Sequence, residues 1–212
     1  MADLSDPISR GSSMKIRFLN IARDLGHDVR CDRPIVDIEI TNSIITSSGC
    51  REYERTDICC LGIIVDDQII QVHREPNIDD VAEFKREAIS HIGRHRSLHA
   101  FNWEFEYYGL KSYLGIDSHS VEEIEPFKGK GWTKDKFFSE LAGDCIVKAR
   151  MPVDPFHGDS KLVFPSWVNG DIKSILDHNL VCLLKEHYIL HYRDYLYKKY
   201  SDRIDAGGWY RL

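Results

Sequence analysis

Two acidic side chains one residue apart interrupt a run otherwise suited to a strand, Pro34-Ile-Val-Asp37-Ile-Glu39-Ile40. Side chains alternate across a strand, so Asp37 and Glu39 share one face about 7 Å apart, while Val36, Ile38 and Ile40 take the other. Like charges this close repel, and inside a sheet they are costly unless a cation neutralises them. Carboxylate oxygens are the donors that Mg²⁺ and Mn²⁺ select, so the pair predicts a divalent-metal site. The plainer reading of the same residues is a half-exposed strand with a solvated polar face.

Two further segments offer partners. In His99-Ala-Phe101-Asn102-Trp103-Glu-Phe105-Glu106 a strand is expected to end near Asn102, and the next helix then carries Glu106 in its first turn. Near the C-terminus, His178, Cys182 and Glu186 recur at i, i+4 and i+8 and so lie on one helical stripe, with Asp171, Ser174 and Asp177 one or two turns earlier. Taken singly, His178 reads equally well as a hydrogen-bonded helix histidine, and Cys182 as a small buried residue.

These groups need a scaffold. Residues 34–40, 57–65, 68–73 and 97–101 have the β-branched, apolar character of strands, with Asp66-Asp67 as a turn closing a three-stranded antiparallel meander. Val81, Phe84, Ala88 and Ile92 recur at helical spacing after Pro76, with Asn77 as the expected N-cap and Asp79-Asp80 in the first turn. Further helices are expected over 105–113 and 133–141, the latter capped by Thr133, and one long pattern covers 170–200. Strands followed by mainly helices predict an α/β mixed sheet with helices packed on it.

In this order the three segments resemble the DEDD (DnaQ-like) 3′–5′ exonucleases of the ribonuclease H-like fold, in particular the branch related to the exonuclease domain of family B DNA polymerases. The Asp-x-Glu strand matches at Asp37 and Glu39, the Asn and aromatic-acid motif at Asn102 and Phe105-Glu106, and the C-terminal helix motif at His178-Asn179-Leu-Val-Cys182. The resemblance covers residues 33–195. It implies a five-stranded mixed sheet, a meander plus parallel strands, and two Mg²⁺ or Mn²⁺ ions held by Asp37, Glu39 and Glu106. It also implies that His178 accepts or orients a proton, and that Asn102, Trp103 and Phe105 contact substrate. The implied reaction releases nucleotides from the 3′ end of single-stranded DNA or RNA. Two departures bear on this. Glu106 stands where the family has Asp, and Cys182 where it has its last carboxylate. A thiol is a poor ligand for Mg²⁺, so Glu186 or Asp171 is the expected replacement. The alternative is an impaired domain that binds nucleic acid or a protein without cleaving.

Composition sets the outer bounds. The 212 residues are 42% hydrophobic and 29% charged, an ordinary globular balance, and the formal net charge of −6 argues against coating duplex DNA by charge alone. No apolar run approaches the roughly 20 residues of a membrane helix, and an intracellular, cytoplasmic protein with no membrane partner is expected. Residues 1–13 read as a disordered leader and 14–212 as one domain. The six cysteines form no CxxC pair and read as reduced thiols. Local grip on a strand is expected from Lys85, Arg86, Arg94 and Arg96, from Lys128, Lys130, Lys134, Lys136, Lys148 and Arg150, and from stacking on Phe127, Trp132, Phe137, Phe138 or Tyr107. Asp154-Pro-Phe-His-Gly-Asp159-Ser160 reads as a surface loop, with a place beside the cleft as its second reading.

Overall fold

The computed structural model describes residues 15–21, 31–42, 52–76, 78, 80–116, 120–124, 133–147 and 151–205. Their strands are β1 (Lys15–Asn20), β2 (Cys31–Ile40), β3 (Ile58–Asp66), β4 (Gln68–His73), β5 (Ser97–Ala100) and β6 (Ser120–Glu123). Their helices are α1 (Val81–Ile92), α2 (Trp103–Leu114), α3 (Lys134–Gly143), α4 (Val163–Val168), α5 (Ile172–His191) and α6 (Arg193–Asp205). All six strands form one sheet in the order β1-β4-β3-β2-β5-β6. The fold is α/β, a mixed open sheet flanked by helices, consistent with a ribonuclease H-like arrangement.

The expected meander is present: β2 runs antiparallel to β3, and β3 to β4. Val65 pairs with Gln68 across the two-residue turn Asp66-Asp67, where Asp66 takes a left-handed conformation (φ 55°) that a tight hairpin requires and an aspartate tolerates. Strand β5 lies parallel to β2, and β6 parallel to β5, each reached through a helical crossover.

The sheet has six strands, not the five expected, and two of them, β1 and β6, lay outside the four runs read from sequence. Strand β1 adds to the free edge of β4, from Lys15↔His73 to Asn20↔Gln68. The β3–β4 turn secures its end, since Asn20 Nδ2 donates to Asp67 Oδ2 at 2.8 Å and Ile21 N–H to Asp67 O at 2.7 Å. The helices also shift slightly. Helix α1 starts at Val81 after Asp80, so Asp80 precedes the first turn rather than filling it; Asn77 and Asp79 lie outside the described residues. The pattern over 170–200 is two helices, α5 and α6, broken at Tyr192. Thr133 caps α3 as expected, accepting from Lys136 N–H. Residues 1–13 lie outside the described residues.

The sheet buries both faces. Val36, Ile38, Leu61, Ile63 and Val72 pack against Phe84, Ala88 and Ile92 of α1 and Leu110 and Leu114 of α2. Ile35, Ile64 and Ile69 pack against Leu180, Leu183 and Leu184 of α5 and Phe137 and Leu141 of α3. Helix α5 is buried from Ile175 to Leu190 apart from Asp177, which is half-buried, so its polar side chains need partners inside the protein. Among the described residues no helix is long and apolar enough to cross a membrane.

Candidate metal centre

The period-two alternation of β2 turns Asp37 and Glu39 toward α5, and both are buried. Glu106 in the first turn of α2 and Glu186 on α5 are buried too, Glu186 completely. A single ammonium gathers them. Lys134, the first residue of α3, forms ion pairs with Asp37 Oδ1 and, at 2.5 Å, with Glu186 Oε1. Its charge also acts on Glu39, and that of Glu106 acts on it. Asp37 and Glu186 therefore meet at Lys134, and Glu39 and Glu106 lie near enough for their charges to couple with it. Asp171, the other expected replacement, is exposed and caps α5, accepting from Ser174 N–H at 3.2 Å.

Among the described residues, the Lys134 ammonium is shared by the two carboxylates of Asp37 and Glu186, with Glu39 close enough to feel its charge. Two like unit charges 4 Å apart repel by about 4 kcal/mol at an effective dielectric of about 20, a large share of a domain's net stability. The titration behaviour reflects this. Burial, then Asp37 and Cys182, push Glu39 well above its ordinary value against the opposing pull of His178 and Lys134. Burial also raises Glu186; Lys134 opposes it, and Asp37 and Glu106 add to it. Burial alone would lower Lys134, but Asp37, Cys182, Glu186 and Glu106 outweigh it and hold the ammonium charged. Among the described residues Glu186 Oε2 has no hydrogen-bond partner. The donors are hard oxygens, several, buried and short of positive charge, so they fit Mg²⁺ or Mn²⁺.

The cluster is braced from behind. Asn179 of α5 donates from Nδ2 to Asp37 Oδ2 at 2.9 Å and to Asp37 O at 3.2 Å. Its Oδ1 accepts from Gln71 Nε2 at 2.9 Å, and Gln71 Nε2 also reaches Leu176 O at 2.8 Å. Asp37, Gly62 and Gln71 are cross-strand partners on β2, β3 and β4. Gly62 makes the brace possible, because a Cβ there would stand 2.2 Å from Asn179 Oδ1 and 2.5 Å from Leu183 Cδ1.

His178 stands on the other side of Glu39. Its Nδ1 lies 2.8 Å from Asp154 Oδ1, and both side chains are at least nine-tenths buried. The segment around Asp154 is thus no plain surface loop. Burial would raise the Asp154 carboxyl, but His178 and the N–H groups of Phe156 and Gly158 outweigh burial and hold it below its ordinary value. An ionised carboxylate only accepts, so Nδ1 carries a proton and donates it in a hydrogen bond to Asp154, and Nε2 faces the cluster. Nε2 is 3.9 Å from Glu39 Oε1 and 3.8 Å from Cys182 Sγ. Burial pushes the Cys182 thiol up to about 12.

The residues expected to contact substrate separate. Asn102 is exposed just before α2, Trp103 is half-buried with its ring centroid 6.3 Å from that of Tyr107, and Phe105 packs partly into the core beside α2. Phe137 is core, packed edge-on to Phe101, and Phe138 packs against the same core, so neither offers a free stacking face. Lys134 points inward and is no surface grip. Lys128, Lys130, Lys148, Arg150, Phe127 and Trp132 lie outside the described residues.

Sequence reading named three members of the centre without their role there: Lys134 was expected as a surface grip, Asn179 stood within the helix motif, and Asp154 lay in a loop with the cleft as its second reading. Lys134 precedes Phe137 and Leu141 at i+3 and i+7, which puts it on the buried stripe of α3. Asn179 interrupts an apolar stripe between Ile175 and Leu183. Asp154 carried no spacing signal. Compared with family models, curated proteins and solved structures, the chain finds no match.

Proposed function

We propose that the protein is a divalent-metal-dependent 3′–5′ exonuclease that hydrolyses phosphodiester bonds at single-stranded ends. One observation carries this reading: the buried carboxylates Asp37 and Glu186 share one ammonium, that of Lys134, and the buried Glu39 and Glu106 interact with it electrostatically. Glu186 supports the active reading over an impaired domain, since it supplies the carboxylate that Cys182 does not.

Bound between these acids, Mg²⁺ or Mn²⁺ would lower the pKa of the attacking water and stabilise the charge that builds on the phosphate and leaving oxygen. The chain's own residues do the rest. Asn179 fixes Asp37 through hydrogen bonds to its backbone oxygen and to Oδ2, so Oδ1, which pairs with Lys134, keeps one direction. Lys134 pairs with Asp37 and Glu186 in the metal-free protein, and a bound dication would compete with it for these oxygens. His178 Nε2 takes the proton from the attacking water, while Asp154 orients the ring and stabilises the imidazolium. Asn102 and Trp103, next to Glu106, are suited to receive the terminal bases, with aromatic stacking contributing about 1–3 kcal/mol per base.

The test is digestion of 5′-labelled single-stranded DNA and RNA by the full chain in Mg²⁺ or Mn²⁺. Shortening from the 3′ end, abolished by Asp37→Asn and by Glu186→Gln, is expected. No digestion of either polymer, or an Asp37→Asn variant as fast as the wild type, would overturn the assignment.

A further inference from the structure

We infer that Glu39, His178 and Cys182 form a site for a borderline-soft dication, Zn²⁺ by its chemistry, that shares Glu39 with the carboxylate cluster but differs from it in donor type. One ligand atom from each of the three lies within 4.8 Å of the other two. His178 Nε2 stands 3.8 Å from Cys182 Sγ and 3.9 Å from Glu39 Oε1. The nitrogen–oxygen separation is too long for a hydrogen bond, which would bring the two to about 2.7–3.2 Å. It is close to what a shared metal imposes: bonds of about 2.0–2.3 Å at tetrahedral angles put neighbouring donors roughly 3.5 Å apart.

Two independent features point to a ligand. The Glu39 carboxylate is 5% exposed, and its one contact within ion-pair range among the described residues is the long one to His178. His178 is held by a buried carboxylate on its far nitrogen, the carboxylate–histidine arrangement that orients and strengthens metal-ligating imidazoles. Helical geometry sets the pair, since His178 and Cys182 are one turn apart on α5. Sulfur decides the metal. A thiolate with imidazole and one carboxylate suits Zn²⁺ or Co²⁺ and not Mg²⁺, and three protein ligands leave the fourth tetrahedral position open.

Cobalt reports on this site directly. Chelator-treated full-length protein titrated with Co²⁺ is expected to develop a thiolate-to-cobalt charge-transfer band that saturates at one equivalent. Cys182→Ser should abolish the band while circular dichroism shows the fold intact. His178→Gln should weaken binding severely, and Asp154→Asn about 10–100-fold, as loss of an orienting partner does. Cys145→Ser, at an exposed thiol, should leave the band in place. A folded wild type without the band overturns the inference, as does a band that survives Cys182→Ser or disappears with Cys145→Ser. The band should persist in Asp37→Asn; its loss there alone would put the metal in the acid cluster and overturn the inference as well. None of this requires the nuclease reading, which stands or falls on oligonucleotide digestion. If both hold, His178 cannot ligate and accept a proton at once, so Zn²⁺ inhibits the Mn²⁺-dependent reaction.

Discussion

Asn179 donates to both the backbone oxygen and a carboxylate oxygen of Asp37, and so ties the helix α5 to the strand β2 at the point where the acids converge. The contact depends on a third position that has no side chain. Gly62, opposite Asp37 on β3, leaves the space that the Asn179 amide and Leu183 occupy. Gly62→Ala is expected to destabilise the protein by about 1–3 kcal/mol through overpacking, and to weaken Mn²⁺ binding by displacing Asn179. Urea unfolding and calorimetric titration check the two parts. A variant as stable as the wild type would show that α5 can yield there.

Stability of the metal-free protein should fall as pH rises above about 4.5. Glu39 and Glu186 both have folded pKa values raised above the ordinary 4.5, so the native state binds these protons more tightly than the unfolded chain. Their contribution is complete below 4.5 and is lost as pH climbs through the folded values. Asp154 and Asp177, held below 3.8, change in the opposite sense but only at lower pH. Chemical denaturation across pH 4.5–8 reads the slope. Glu186→Gln should flatten it, and so should saturating Mn²⁺, which favours the ionised acids. An unchanged slope in Glu186→Gln would show that Glu186 does not titrate in this window.

Lys134→Met removes the ammonium that Asp37 and Glu186 share. Breaking a buried ion pair from one side typically costs about 3–5 kcal/mol, and a loss of that order is expected near neutral pH without metal. Mn²⁺ should restore most of it. Because the dication no longer has to displace an ammonium, its affinity should rise about tenfold, about 1.4 kcal/mol. Thermal unfolding with and without Mn²⁺ separates this from a simple loss of packing, which Mn²⁺ would leave unrepaired.

Asp154→Asn keeps the size of the side chain and removes its charge. If His178 accepts the proton from water, the variant should digest oligonucleotides about 10–100-fold more slowly with little change in KM. A rise in KM at constant kcat would instead give the loop at Asp154 a part in binding.

The scaffold was legible because its signals were local. Alternation gave β2, the Asp66-Asp67 turn gave the β3–β4 hairpin, and Val81, Phe84, Ala88 and Ile92 gave α1. Strand β1 was not, because Lys15–Asn20 is held chiefly by pairing with β4, and Phe18 stays exposed. The acids were readable for a similar reason: charge in an apolar strand is conspicuous, and helical spacing put Glu186 on the stripe of His178. Lys134, Asn179 and Asp154 were harder. Each gains its role from a partner about 24 to 142 residues away, which no local pattern encodes.

The position of Lys134 at the very start of α3 has a consequence of its own. This helix is pinned at its first turn by Lys134 to the acids and by Asp135 to Lys185 at 2.5 Å, and at its last by Lys199, which reaches Glu140 and Asp144. When cations take over the carboxylates, only the first of these tethers lets go, so the opening turn of α3 becomes an occupancy gauge. Amide hydrogen exchange would quicken there on loading and slow again on chelation, a signal tens of residues along the chain from Asp37 that needs no substrate to be seen.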